Sequence, residues 1–129
     1  MILVDSDILI AHLRGVPDAR SWLREARLRS PLSISVVTVA ELTGGMRSAE
    51  RREVWALLNV MRPEPVTELV ARRAGELRRR FRRSHTGIGI ADYLVAATAL
   101  EPGAELATLN VTHFPMFDDL RPPFEVPLR

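Results

Sequence analysis

The spacing of apolar positions changes several times along the chain, and each change marks an element. Ile2, Leu3 and Val4 form a short unbroken apolar run, the pattern of a strand covered on both faces. The run stops at Asp5-Ser6-Asp7, and apolar residues resume at Ile8, Leu9 and Ile10. A first helix is expected over 8–13, capped by Ser6 or Asp7 and closed by Gly15. Pro17 and Asp18 suit a helix start, and Ala19, Trp22, Leu23 and Ala26 then recur at helical spacing. Residues 32–35 alternate as a second strand. A helix follows at once through Val36, Val37, Val39, Ala40 and Leu42, ending near Gly44-Gly45.

Ser48 is placed to cap the next helix, whose inward stripe is Val54, Leu57, Leu58 and Met61 and which Pro63 and Pro65 end. Residues 64–66 read as a connection or a brief edge strand. From Thr67 a helix turns Leu69, Val70, Ala74, Leu77 and Phe81 inward. A loop over 84–89 precedes residues 90–100, which are apolar nearly all round, so this helix is central or packed in a dimer. A third core strand is expected over 105–109, ending at Asn110, and a turn or short helix over 116–120. The tail, 121–129, holds three prolines and suits at most an edge strand around 124–126.

Strand, helices, strand, helices, strand is the order of an α/β fold with a mainly parallel sheet. The 129 residues suit one domain, 1–129, with no repeat or linker. Apolar residues at 47% and charged residues at 26% are the balance of an ordinary soluble globule. With no cysteine, disulfides, thiolate metal sites and cysteine nucleophiles are excluded. The start lacks the basic and apolar segments of a signal peptide and nothing approaches a membrane span, so the cytoplasm is the expected location. The formal charge is only +2, but all 18 cationic side chains are arginine. Schiff-base lysines and Walker-type phosphate lysines are thereby excluded.

In α/β folds the crevice at the carboxyl ends of the strands receives ligands. Asp5, Glu41, Asp92 and Asn110 each follow a strand or stand near a helix start, and this architecture gathers such places on one rim. Asp92 stands in the first turn of the most apolar helix, where the helix dipole favours an anion. Glu41 interrupts an apolar run, so it is paired, metal-bound or facing an open cleft, unless it lies on the solvent side of a half-exposed helix. Three carboxylates on one rim repel one another, and a divalent ion relieves that repulsion; hard oxygen donors select magnesium or manganese (Mg2+ or Mn2+) over zinc. Such a cluster suits attack of water on a phosphodiester.

The run from Arg72 and Arg73 through Arg78, Arg79, Arg80, Arg82 and Arg83 faces the single acid Glu76, too lopsided for internal pairing. Either it is a solvated face, or Arg72, Arg73, Arg79, Arg80 and Arg83 contact phosphates or an acidic partner.

Asp5-Ser6 after a strand, Glu41 in Val39-Ala40-Glu41-Leu42, Asp92 ahead of the 94–99 apolar run, and Thr108-Leu109-Asn110-Val111-Thr112-His113-Phe114 together resemble the PIN-domain ribonucleases, and among them the VapC-type toxins. The resemblance spans essentially the whole chain. It implies a PIN-like three-layer α/β/α fold with a mainly parallel sheet of four to five strands. It also implies a metal-dependent endoribonuclease, the toxin of a type II toxin–antitoxin system, with Asp5, Glu41 and Asp92 holding the ion. The implied partners are an RNA substrate, a cognate antitoxin whose tail covers the cleft, and a second copy in a homodimer. Ser6 and Thr108 are candidate hydrogen-bond donors behind those ligands, or else cap and strand-end hydroxyls. Much of the family carries a fourth aspartate where this chain has Asn110, which keeps an oxygen but loses a charge, so one firmly held ion is expected.

Two other readings stay open. Residues 2–9 also resemble the haloacid-dehalogenase-like phosphatases, with Asp5 as nucleophile, Asp7 as general acid and Ser35 as the strand-end hydroxyl. That family expects a lysine and leaves Glu41 without a role. The alternative without catalysis is an RNA- or partner-binding module using the arginine face. His12, His85 and His113 are scattered and no nucleophile elbow appears, which leaves a serine triad without support. His113 is placed near the cleft, with no role as a base.

Overall fold

The computed structural model describes residues 1–126. Its centre is strand β1 (Ile2–Val4), the apolar run that opens the chain. β2 (Leu32–Ser35) and β4 (Glu105–Ala107) flank it, and β3 (Arg62–Glu64) lies outside β2, giving the order β3-β2-β1-β4. Every pairing is parallel, with Ile2 opposite Leu32 and Glu105, and Leu3 opposite Ser33 and Leu106. Parallel neighbours need crossovers, and helices supply them.

Side chains alternate across a strand, so β1 feeds two cores. Ile2 and Val4 join Ile8, Leu9, Leu23, Ile34, Leu42 and Val54 on one face. Leu3 joins Val70, Leu77, Tyr93, Val95, Leu106 and Phe114 on the other. Helices α1 (Ser6–Leu13), α2 (Pro17–Arg29), α3 (Val36–Gly45) and α4 (Arg51–Asn59) supply the first core. α5 (Glu68–Phe81) and α6 (Ile90–Leu100) cover the second, and the result is the expected three-layer α/β/α arrangement. Six of the eleven residues of α6 are buried, which is why its sequence lacks a polar face. Among the described residues no helix is long and apolar enough to cross a membrane.

Several local expectations need correction. α1 begins at Ser6, and its cap is Asp5 rather than Ser6 or Asp7. α4 starts at Arg51 after a 3-10 turn at Ser48–Glu50, where Glu50 accepts the Arg47 N–H at 2.9 Å. Its helix stops at Asn59, so Met61 is buried on the approach to β3 instead of on the helical stripe. The edge strand is 62–64, two residues earlier than its apolar signal, because pairing with Ser33, Ile34 and Ser35 sets its position. β4 ends at Ala107, and the chain turns through Thr108 to Asn110. Leu69 is 62% exposed, since the inward stripe of α5 is Val70, Ala74 and Leu77. Residues 124–126 form no strand; Phe124 packs against the first core. Pro127 and the rest of the tail lie outside the described residues.

Candidate active site

The carboxyl end of β1 delivers Asp5 to the start of α1. Its backbone N–H bonds the Ala107 carbonyl at 2.9 Å, which ties the strand end to β4. Its carboxylate is buried, with Oδ1 accepting the Ser6 N–H at 2.8 Å and Oδ2 accepting the Thr108 hydroxyl at 2.8 Å. Ser6 meets Asp5 through its backbone, and Thr108 through its side chain. Burial pushes the Asp5 carboxyl up to about 7, and the negative charges of Asp7 and Asp92 add to the rise.

Asp7 is the member that sequence reasoning undervalued. Its Oδ2 accepts the Leu109 N–H at 3.0 Å and lies 3.2 Å from the Thr108 hydroxyl, while Oδ1 is buried without a partner among the described residues. Thr108 has a single proton to offer two carboxylates, and its oxygen also receives the Asn110 N–H at 3.1 Å. Asp7 therefore clamps the turn after β4 against the start of α1. Burial raises its carboxyl too. The signal was the i, i+2 pair of acids at a strand-to-helix junction. A phosphatase general acid must face its substrate, whereas here Oδ2 is engaged with Thr108 and Leu109 and Oδ1 is buried. Ser35 is likewise occupied, accepting the Val37 N–H at 3.1 Å to cap α3. Replacing Asp7 by alanine frees Thr108 and strands the Leu109 N–H. The expected cost is about 1–3 kcal/mol in chemical denaturation, together with weakened activity, whereas Asp7→Asn keeps an acceptor and most of both.

Asp92 sits in the first turn of α6, and Nδ1 of His113 lies 3.0 Å from its Oδ2. His113 follows β4 in a 3-10 turn, Val111–His113, where its N–H bonds the Asn110 carbonyl at 3.1 Å. Twenty-one residues separate this pair, so no helical spacing announces it. Asn110 is exposed, and its Oδ1 accepts the Thr112 hydroxyl at 3.3 Å.

Glu41 lies on the half-exposed side of α3, where only Thr38 and Leu42 are buried. The apolar run around it is thus not a buried face. Its carboxyl is nonetheless raised, first by burial and then by the charge of Asp92. Glu41 also borders a groove of about 520 Å³ shared with Ile10, Leu13, Arg14, Met46 and Arg47. Asp5 and Asp92 do not border that groove.

Asp92 is thus the charge that acts on both Asp5 and Glu41. Among the described residues no three His, Asp or Glu side chains stand close enough to chelate an ion as they are. The donor chemistry nevertheless fits a hard dication. Asp5 and Glu41 form no ion pair among the described residues, and both carry raised carboxyls that an added cation would lower.

The arginine face divides. Glu68, which opens α5, pairs with Arg72 at 3.2 Å, and Glu101, after α6, pairs with Arg73 at 3.4 Å. The lopsided count against Glu76 alone is corrected accordingly. Arg78, Arg79, Arg80, Arg82 and Arg83 are exposed and form no ion pair among the described residues.

A four-stranded parallel sheet between helical layers, with coupled acids at the carboxyl end of its central strand, defines an α/β protein of the PIN class. The chain belongs to the PIN domain family, whose pattern it matches over residues 2–115. It is similar to Ribonuclease VapC10 of Mycobacterium tuberculosis, at 66% identity covering 98% of this chain and 96% of the relative. Ribonuclease VapC19 of the same organism is 43% identical, covering 96% of this chain and all of the relative. In three dimensions it resembles a chain of a toxin–antitoxin complex from Klebsiella pneumoniae, with a TM-score of 0.79 and 23% identity, covering 98% of this chain and 100% of that one.

Proposed function

We propose that this protein is an endoribonuclease dependent on Mg2+ or Mn2+, the toxin of a type II toxin–antitoxin pair that acts on cytoplasmic RNA. The observation that carries this reading is Asp5, a buried carboxylate at the end of the central strand, held by Thr108 and Ser6, close to the charge of Asp92 and without a cationic partner among the described residues. Two VapC relatives bear the name ribonuclease, and the similarity to each spans nearly the whole chain.

Asp5, Asp92 and Glu41 would hold the ion, which when bound lowers the pKa of the attacking water and offsets charge on the phosphate. The chain's own residues do the rest. Thr108 and the Ser6 N–H fix both oxygens of Asp5, so one orientation is presented without reorganisation. His113 holds one oxygen of Asp92, its Oδ2. Asp7 holds Thr108 and Leu109, and so sets where Asn110 stands at the rim. Asn110 offers a neutral oxygen there. Glu41, on α3, is the most exposed of the three acids.

The partner is a cognate antitoxin, a reading supported by the toxin–antitoxin complex whose chain shares this fold. The expected assembly is a homodimer: Val36 and Ile90, which open the mutually packed α3 and α6, are 39% and 54% exposed, and a second copy would cover them. Incubation with total cellular RNA, with and without magnesium, followed by mapping of new 5′ ends, tests the activity. Discrete magnesium-dependent cuts are expected. Absence of cuts with either ion, or cuts that persist in Asp5→Asn, would overturn it.

A further inference from the structure

α5 packs on α6 and only residues 82–89 join them, so the end of α5 lies near the start of α6; with Arg73 paired to Glu101 at the other end, the two run antiparallel. A helix rises 1.5 Å per residue. Counting eight residues on from Arg73 and nine back from Glu101 covers about 12–14 Å on each axis. Phe81, at the end of α5, therefore stands level with Asp92. The arginine-rich end of α5 shares the rim with the acids.

Positions 73, 76, 80 and 83 fall on one row of that helix, the row that faces the flank of α6. Arg82 keeps helical backbone angles, φ −58° and ψ −27°, so the row continues to Arg83. Its first cation, Arg73, is spent on Glu101, whereas Arg80 and Arg83 have no acidic partner among the described residues. The Arg80 guanidinium lies 5.3 Å from the Phe81 ring centroid, and Phe81 meets His85 edge-on at 5.6 Å, so the cation is held in place. The negative end of the helix dipole accommodates a cation there. One or two would suffice for that. Five arginines in six positions, without an acidic partner among the described residues, repel one another, and an outside anion lying among them would relieve that.

The geometry points to Arg80 and Arg83 as the residues that grip the RNA backbone beside the cut. Phosphates of a single-stranded segment run along the α5–α6 flank and bring the scissile bond to Asp5 and Asp92, an inference that rests on the ribonuclease reading above. The exposed side chains that follow, Arg82, Ser84, His85 and Thr86, are polar, and Ile90, the exposed apolar residue that opens α6, belongs to the face a second copy would cover. A protein-binding patch needs a desolvated apolar centre, whereas an RNA strand needs cations and an aromatic face such as His85.

The test is binding of a short unstructured fluorescent RNA in EDTA, followed by anisotropy across a range of salt. Each phosphate contact on a single strand contributes about 0.7 to the slope of log K against log salt, so Arg80→Gln with Arg83→Gln should lower it by about 1.4. Arg20→Gln with Arg24→Gln, an equal loss of charge on α2, should leave it unchanged. Arg80→Lys with Arg83→Lys keeps the charges and should keep the slope, which separates contact from a folding defect. In cleavage assays the glutamine pair should raise KM several-fold with kcat within about twofold. An unchanged slope in that pair, or an equal fall in the α2 pair, overturns the proposal. So does a pair that binds RNA normally but fails to hold its antitoxin, which would make the flank a protein interface. A parent chain that binds no RNA at all would sink the ribonuclease reading as well.

Discussion

Replacing Asp5 by asparagine is expected to lower RNA cleavage by ~10³-fold or more and, in the absence of metal, to make the protein more stable at pH 8. Both effects come from the same burial. The Asp5 carboxyl stands at about 7 instead of 3.8. Between those values the folded chain holds a proton that the unfolded chain has lost. Stability therefore falls as pH rises through that window, by about 4 kcal/mol in full, and is flat above it. Asparagine has no proton to lose, so it escapes this cost. It keeps an oxygen for the Thr108 hydroxyl or the Ser6 N–H, but its amide nitrogen stands where an acceptor was, at a cost of about 1–3 kcal/mol.

The net expectation is a variant more stable than the parent by about 1–3 kcal/mol at pH 8, with the advantage gone or reversed at pH 4. Urea denaturation in EDTA at the two pH values measures it. If the variant were no more stable than the parent at pH 8, the acid would not be a source of strain in the fold. A carboxylate kept at a stability cost, and relieved only by a cation, is what a catalytic site requires.

The second large effect is the cation itself. Added manganese should raise stability by about 2.7 kcal/mol when its concentration is a hundred times the dissociation constant. The gain should be far smaller at pH 5, because below about 7 the ion must displace the Asp5 proton, at roughly a tenfold loss of affinity per pH unit. Calorimetric titration at pH 8 should give one tight ion per chain, since Asn110 supplies no charge for a second. Two equally tight sites would contradict that assignment. A stabilisation as strong at pH 5 as at pH 8 would place the ion away from Asp5.

The course of the chain was largely readable before any coordinates. The continuous apolar run at 2–4 and the switch to helical spacing after Asp7 locate β1 and α1. The all-round apolarity of 90–100 marks a helix buried between neighbours. Asp5 stood out because it closes a strand, and Thr108 only through the family resemblance. The boundaries that slipped, at β3, β4 and α4, are places where pairing or a turn overrules the local pattern. Leu69 was misplaced because an apolar residue beside the stripe of an amphipathic helix fits the same period as one within it.

What the sequence by itself determined is the kind of fold and the presence of acids where strands give way to helices. Periodicity reports which face a residue takes, and strand ends in a parallel sheet converge without further information. What only the tertiary structure decided is which side chains answer one another: Asp7 with Leu109, Asp92 with His113, Arg73 with Glu101. These partners lie 102, 21 and 28 residues apart along the chain. No repeat of three or four residues carries such pairings. They exist only once two hydrophobic cores have closed on opposite faces of the sheet and brought the helix ends to a common rim.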